Sequence, residues 1–339
     1  MRVTQQDIAR IANVSQATVS RVVSGDDKVE LTIRDRVVEV MTRHNYAPDV
    51  RARSLRNRRT GLIGLVVNRP AGNVGDDPFF SHLTAEIINY LSGEPYHLCL
   101  DMVSSDVGQD AIYDEMLRTR RVDGLILVES EARDHRIHRL QEDNFPFVLI
   151  GNPLASVDIH SVDNDNVFAA EMATKHLVDA GYKRVGIIGG RKGVTVSDDR
   201  IAGYHHGIAG HQDDCLVWHS DFGSDAARNT ALGVLNGPNR PDALVVLDDL
   251  MGLGVVLAAR AHGLRIPRDL GLVSFNDTNL CDLLESGLSS VSLNIKQMVT
   301  TACERLLRII EHRPTPTPRR VIVPCELKVR GSSLRGGQI

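Results

Sequence analysis

Apolar positions change their period along this chain. Over the first 45 residues they recur at helical spacing: Ile8, Ile11 and Ala12, then Val19, Val22 and Val23, then Val37, Val40 and Met41. That spacing predicts three short amphipathic helices. Thr4 and Asp7 offer a capping-box start to the first, and Asn13-Val14 a tight turn after it. Ser15 can cap a second helix running through Ser24, which Gly25-Asp26-Asp27 stops. The third is expected from about Thr32 to His44, with Thr32 and Asp35 as its capping pair. Gln16, Ala17, Ser20 and Arg21 fall on the outward face of the second helix, and helix, tight turn, polar-faced helix is a helix-turn-helix pattern.

From Gly61 onward, continuous apolar runs replace that spacing. Residues 62–67, 98–103, 125–128, 147–150, 185–188, 244–247 and 270–275 read as strands buried on both faces. Amphipathic stretches such as 79–91, 110–120, 167–180, 225–235 and 248–262 alternate with them, and Gly181 and Gly263 mark helix ends. Repeated strand-helix units predict an α/β chain: a small all-α helix-turn-helix head and a bilobal core of two doubly wound parallel sheets. A length of 339 residues, too great for one ordinary core, agrees.

Charge sharpens this division. The formal net charge of −4 hides 12 Lys+Arg against 7 Asp+Glu in residues 1–60, and 27 against 36 in the remainder. A basic end on an acidic body suits a nucleic-acid module attached to something else. The five cysteines are scattered and odd in number, with no Cys-x-x-Cys, which predicts reduced thiols. No run of eighteen apolar residues is present and the first residues lack a secretory pattern, so a cytoplasmic protein is expected.

Base recognition is within reach of the second helix. Gln16 can offer a paired donor and acceptor to adenine, Arg21 can fork onto guanine, and Ala17 can touch a thymine methyl. Thr4, Ser15, Thr18 and Ser20 suit phosphate contacts, with Ser15 doubling as a cap. Residues 3–25, followed by Asn45-Tyr46-Ala47-Pro48 and Arg51-Ala52-Arg53-Ser54-Leu55-Arg56, resemble the head-piece of LacI/GalR-family transcription regulators. The resemblance implies a DNA-binding domain over 1–48 and a hinge helix or linker over 49–60. In that hinge Leu55 would wedge between base steps of the minor groove, Ala52 would allow close approach and Arg56 would sit in the groove.

The resemblance extends over the core. Phe79-Phe80 after Pro78, Arg121-Val122-Asp123-Gly124, Asp163-Asn164-Asp165, Asp199-Arg200-Ile201-Ala202-Gly203-Tyr204 and the run from Pro324 to Arg330 carry it. It implies a periplasmic-binding-protein type I-like core over 61–339 that binds an effector and dimerises. Its N-subdomain would span about 61–160 and 293–322, its C-subdomain about 162–290 and 324–335, with crossovers near 161, 291 and 323. An effector would lie between the subdomains at strand carboxyl ends. Candidates there are Phe79, Phe80 and Phe222 as stacking platforms, and Arg200, matching the family's effector-binding arginine. Asn152, Asp248, Asn276 and Asp277 would be its polar partners. Phe80 can equally anchor its own helix, and Asp277 or Asp249 can cap one.

Such a mixture suits a mono- or disaccharide, with a non-sugar metabolite such as a nucleobase as the alternative. The segment 68–77 is read as a long loop. An enzyme on this fold finds no phosphate-loop, nucleophile-elbow or zinc-protease motif, and Gly252-Leu253-Gly254 sits in a helical pattern, as packing glycines do. A transport-type binding protein would lack the DNA-binding head. The expected chain is a homodimeric regulator, a repressor bound to a pseudo-palindromic double-stranded operator, with no catalytic residue, cofactor, metal or membrane partner.

Overall fold

A computed structural model describes residues 3–23, 26–46, 59–67, 71–101, 118–132, 134–153, 158–212 and 214–335. It divides into two compact units, Met1–Thr60 and Gly61–Ile339. The expected hinge residues Ala52, Leu55 and Arg56 lie outside the described residues, as does all of the expected helix 110–120 except its last three positions.

The first unit contains α1 (Gln5–Ile11), α2 (Gln16–Val23) and α3 (Leu31–Arg43). Thr4 closes the expected capping box: its hydroxyl and backbone N–H donate to Asp7 Oδ2, and its Oγ1 accepts the Asp7 N–H. These bonds, led by the hydroxyl, hold the Asp7 carboxyl below its ordinary range. Asn13 turns the chain into α2 with φ +52°, a left-handed conformation that Asn tolerates better than most residues. Ile8, Ala12, Val19, Val22, Val29, Val37 and Val40 close the core of this unit. The pairing of Thr32 with Asp35 does not form the start of α3. The helix begins one residue earlier, at Leu31, and Thr32 instead donates its hydroxyl to Glu30.

The second unit holds two six-stranded sheets. The first contains β1 (Leu62–Val67), β2 (His97–Asp101), β3 (Gly124–Val128), β4 (Phe147–Ile150) and β5 (Ser161–Asp163), with a late strand β11 (Arg320–Ile322). Their order is β11-β5-β4-β3-β1-β2, parallel throughout. The second contains β6 (Val185–Gly189), β7 (Leu216–His219), β8 (Ala243–Val246), β9 (Gly271–Phe275), β10 (Ser289–Ser292) and β12 (Glu326–Lys328). It is ordered β12-β10-β9-β8-β6-β7, with β12 alone antiparallel to its neighbour. In both, the strand order reverses around one strand, β1 or β6, and the crevice at such a reversal is where doubly wound sheets bind ligands.

The chain passes between sheets three times, after β5, after β10 and between β11 and β12. The first passage comes after Asp163 because Ser161–Asp163 still pairs with β4 and β11. Helices α4 (Ala71–Asp76) and α5 (Pro78–Leu91) follow β1, so the segment read as a long loop is helical over most of its length. Asp77 caps α5 by accepting the Phe79 N–H, with Pro78 in the first turn. Among the described residues, no helix is long and apolar enough to cross a membrane.

Two helices that shape the second lobe are α7 (Asn166–Asp179) and α8 (Thr195–Ile208), α6 being His135–Glu142 in the first lobe. They pack through missing side chains: a Cβ on Gly203 would stand 2.1 Å from the Val167 carbonyl oxygen, and one on Gly207 2.5 Å from Thr174 Cβ. Gly203→Ala is therefore expected to force α7 and α8 apart and destabilise the core by roughly 1–3 kcal/mol, read as a lower urea midpoint. An unchanged midpoint would contradict this packing.

Candidate functional site

Two surfaces collect the candidate residues, one in each unit. On the head, α2 buries Val19 and Val22 and leaves Gln16, Ala17 and Arg21 exposed, with Thr18 and Ser20 half-buried. Ser15 caps this helix: its Oγ accepts the Thr18 N–H at 3.0 Å, and the two hydroxyls lie 2.8 Å apart. Thr4 is occupied in the capping box. Thr4, Ser15 and Thr18 therefore hold the helix ends, while Gln16, Ala17 and Arg21 project from the start and middle of the exposed face. A helix presented this way can enter a major groove with its first turns toward the base edges.

In the core, a cavity opens where the strand ends of both sheets meet. It encloses about 60 Å³ between its walls and about 580 Å³ when its open mouth is counted. Phe79, Val128, Ile150, Phe222, Leu247 and Met298 supply apolar walls, and Glu129, Asp163, Asn164, Asn166, Arg200, Asp248 and Asn276 supply polar ones. The second lobe adds α9 (Ser224–Asn236), which follows Phe222, and α10 (Asp249–Ala261), which follows Asp248. Gly190 makes room for the Phe222 ring, because a Cβ there would stand 2.8 Å from Phe222 Cζ. That close approach, rather than a phosphate cradle, accounts for a glycine at this position.

Five candidates from the sequence meet at this cavity: Phe79, Arg200, Phe222, Asp248 and Asn276. Three do not. Phe80 turns into the core beneath α5, 2% exposed, its ring edge-on to Phe79 at 5.1 Å. Successive helical positions point about 100° apart, so one of the pair reaches the cavity and the other anchors the helix. Asp277 leaves the cavity wall to ion-pair with Arg330 at 2.9 Å. Asn152 donates to Asp199 at 2.6 Å and takes part in a strap between the lobes.

That strap joins the segment after β3 to the segment before α8. Ala132 donates its N–H to the Gly193 carbonyl and Thr195 its N–H to the Ser130 carbonyl, with Glu131 and Val194 bridged antiparallel between them. The Ser130 and Thr195 hydroxyls lie 2.8 Å apart, and Ser130 also donates to the Asn152 carbonyl.

Arg200 is fully enclosed. Its Nε donates to Asn166 Oδ1 at 3.0 Å, one terminal nitrogen donates to the Leu247 carbonyl, and the guanidinium lies 4.0 Å above the Phe275 ring. Burial lowers its pKa to about 10, against the pull of Asp163 and Asp248, so it stays charged at neutral pH. Asp248 caps α10 by accepting the Met251 N–H. Behind it, Asp249 accepts from Ser274, Ser290 and the Thr278 N–H, fixing the turn that carries Asn276. Burial nevertheless raises the Asp249 carboxyl.

Several wall residues were absent from the sequence candidates, Asn164 and Asp163 among them. Asn164 donates from one amide to the Leu293 and Val323 carbonyls, at 3.1 and 2.8 Å. Asp163 is 5% exposed; its Oδ1 accepts from Asn166, and burial pushes its pKa up to about 7. The available signal was an acid at the end of a strand, directly before a helix start.

A carboxyl that ionises at about 7 in the folded protein and near 3.8 when unfolded keeps, between those values, a proton that the unfolded chain has lost. Its contribution to stability therefore falls as pH rises through that window. Asp163→Asn is expected to melt a few degrees above the parent at about pH 8, with the gap closing as pH falls toward 4. A gap independent of pH would overturn this reading of Asp163.

Comparison with known proteins bears on both surfaces. The model for "Bacterial regulatory proteins, lacI family" matches residues 4–49, and that for a "Periplasmic binding protein-like domain" matches residues 174–333. The ribose operon repressor of Halalkalibacterium halodurans is 30% identical over 335 residues, covering 99% of this chain and 98% of its own. A solved complex of the transcriptional regulator CelR with cellobiose is 27% identical, with a TM-score of 0.75 over 98% of this chain and 100% of that one. The lac repressor dimer bound to operator and an anti-inducer shares the fold with a TM-score of 0.85 at 23% identity, over 98% and 100% of the two chains.

Proposed function

This chain belongs to the LacI family of bacterial regulatory proteins, and from that premise we propose how its two units divide a regulator's work. The head reads a DNA operator and the core binds a small effector, a mono- or disaccharide, that sets operator affinity. The exposed row Gln16, Ala17 and Arg21 on the second helix of a helix-turn-helix is the observation that carries this reading. Gln16 and Arg21 have the donors and acceptors to pair with adenine and guanine edges, each good bidentate pair discriminating by about 1–3 kcal/mol. Ser15, Thr18, Ser20 and Thr4 serve backbone register, directly or by holding the helix that does.

Two copies of the chain place two such helices on a pseudo-palindromic site. The basic segment 49–60 belongs to the same proposal, with Leu55 as a minor-groove wedge beside Ala52 and Arg56. Effector and operator are then linked through a shared conformational equilibrium, and such coupling amounts to about 1–3 kcal/mol in typical cases. The relatives named above include a repressor of a ribose operon and a regulator solved in complex with cellobiose. The cavity has what such a ligand asks for: phenylalanine walls for a sugar's apolar face, with amide, carboxylate and guanidinium groups for its hydroxyls. A repressor role completes the proposal.

Two measurements test it. Arg21→Ala is expected to erase preference for the operator over unrelated duplex and to keep the weak, salt-sensitive binding that phosphate contacts give; retained preference would remove Arg21 from base recognition. Phe222→Leu keeps an apolar group at the cavity and is expected to weaken the effector's action on the operator complex about tenfold without changing operator affinity in its absence. Titration of the complex with a panel of sugars and nucleobases reads this, and an unchanged response would move the effector elsewhere.

A further inference from the structure

Charge in the core cavity is unbalanced. Among the described residues its walls hold three carboxylates, Glu129, Asp163 and Asp248, and one cation, Arg200. That cation is already engaged, with Asn166, the Leu247 carbonyl and the Phe275 ring around it. Asp163 is a carboxyl left incomplete, and Asp248 Oδ2 is likewise buried without a hydrogen bond among the described residues. Asp163 Oδ1 accepts from Asn166, but its Oδ2 is buried in the cavity wall with no hydrogen-bond partner among the described residues. Burial, with Asp199 adding to it, opposes ionisation of Asp163 more strongly than the Asn164 backbone N–H, Arg200 and Arg320 favour it.

A buried carboxylate oxygen without a partner is costly, and a bound group can relieve that cost in two ways. A neutral hydroxyl supplies a hydrogen bond and leaves the excess negative charge. An ammonium supplies both the hydrogen bond and the countercharge, and charge-assisted bonds of this kind are the stronger ones. The apolar walls at Phe79 and Phe222 still require a ring or polyol face beside the charged group.

We propose that the effector is a cationic polyol, an unacetylated amino sugar, whose protonated amine is received by Asp163 Oδ2. The proposal rests on the reading of this cavity as an effector site and narrows its ligand class. Binding of the ammonium draws Asp163 into its ionised form. Since burial holds the free carboxyl near 7, complex formation at about pH 6 releases close to one proton from Asp163 to solvent.

Calorimetric titration of the full chain with glucosamine, its β-1,4 dimer, N-acetylglucosamine, glucose and cellobiose tests this at about pH 6, in two buffers of different ionisation enthalpy. The amines are expected to bind at least about tenfold more tightly than their neutral counterparts, with proton release that the neutral sugars lack. Asp163→Asn should abolish both the preference and the proton release while melting as a folded protein. Glu129→Gln, at the half-buried rim, should reduce the preference without removing it. Neutral sugars binding as tightly as amines would overturn the cationic proposal and leave the sugar reading standing. Binding of none of these probes would overturn both.

Discussion

One side-chain amide holds the core's architecture to its purpose. Asn164 stands on the first passage between the sheets and donates to Leu293 on the second and Val323 on the third. The three strands that join the lobes are thereby tied at one buried point, 2% exposed, which is also part of the cavity wall. Whatever changes the angle between the lobes must pass through residues that this amide gathers, and whatever occupies the cavity touches the same amide. Neighbouring groups extend the tie: Asn166, two residues on, links Asp163 to Arg200, and Arg200 reaches the end of β8 through the Leu247 carbonyl. A hydrogen-bonded chain thus runs from the first sheet, through the first passage, to the strand ends of the second.

The backbone around this chain is not relaxed. Glu129, Asn276, Asp277 and Asn294 all have positive φ, at +61°, +99°, +52° and +53°, and the first two line the cavity. Such conformations persist where surroundings over-determine them, and the surroundings here can be named. Arg136 donates to the Glu129 carbonyl from a buried pair with Asp134, and Asp249 with Ser290 fixes the turn holding Asn276 and Asp277. The polar groups of the cavity are aimed by a second layer whose members never face a ligand.

The sheets could be read from the sequence wherever burial on both faces demanded apolar residues. Leu62–Val67, Phe147–Ile150 and Gly271–Phe275 are continuous apolar or nearly so, and their periodicity leaves little choice. Ser289–Ser292 carried no such signal, although Ser289 and Ser290 are fully buried. Their hydroxyls are satisfied by Arg330, Ser333 and Asp249, partners far away in sequence that no local pattern announces. The site followed the same rule. Strand-end reasoning located Phe79, Phe222, Asp248 and Asn276, and the family resemblance Arg200, but strand ends do not tell which of two adjacent residues faces inward, and so Phe80 and Asp277 stood with them. Asp163 escaped because its strand is three residues long, and Asp163 itself finds its strand partner in Ile322, more than 150 positions later.

The strap between Ala132 and Gly193, Ser130 and Thr195, has a kinetic meaning. Two backbone hydrogen bonds and the Ser130 and Thr195 hydroxyls join the lobes here, and Thr195 also lines the cavity. If an effector binds in this cavity, separation of the lobes would require these hydrogen bonds to part together. The effector's residence time is then governed by how often the lobes separate, and two ligands of different affinity can leave at similar rates.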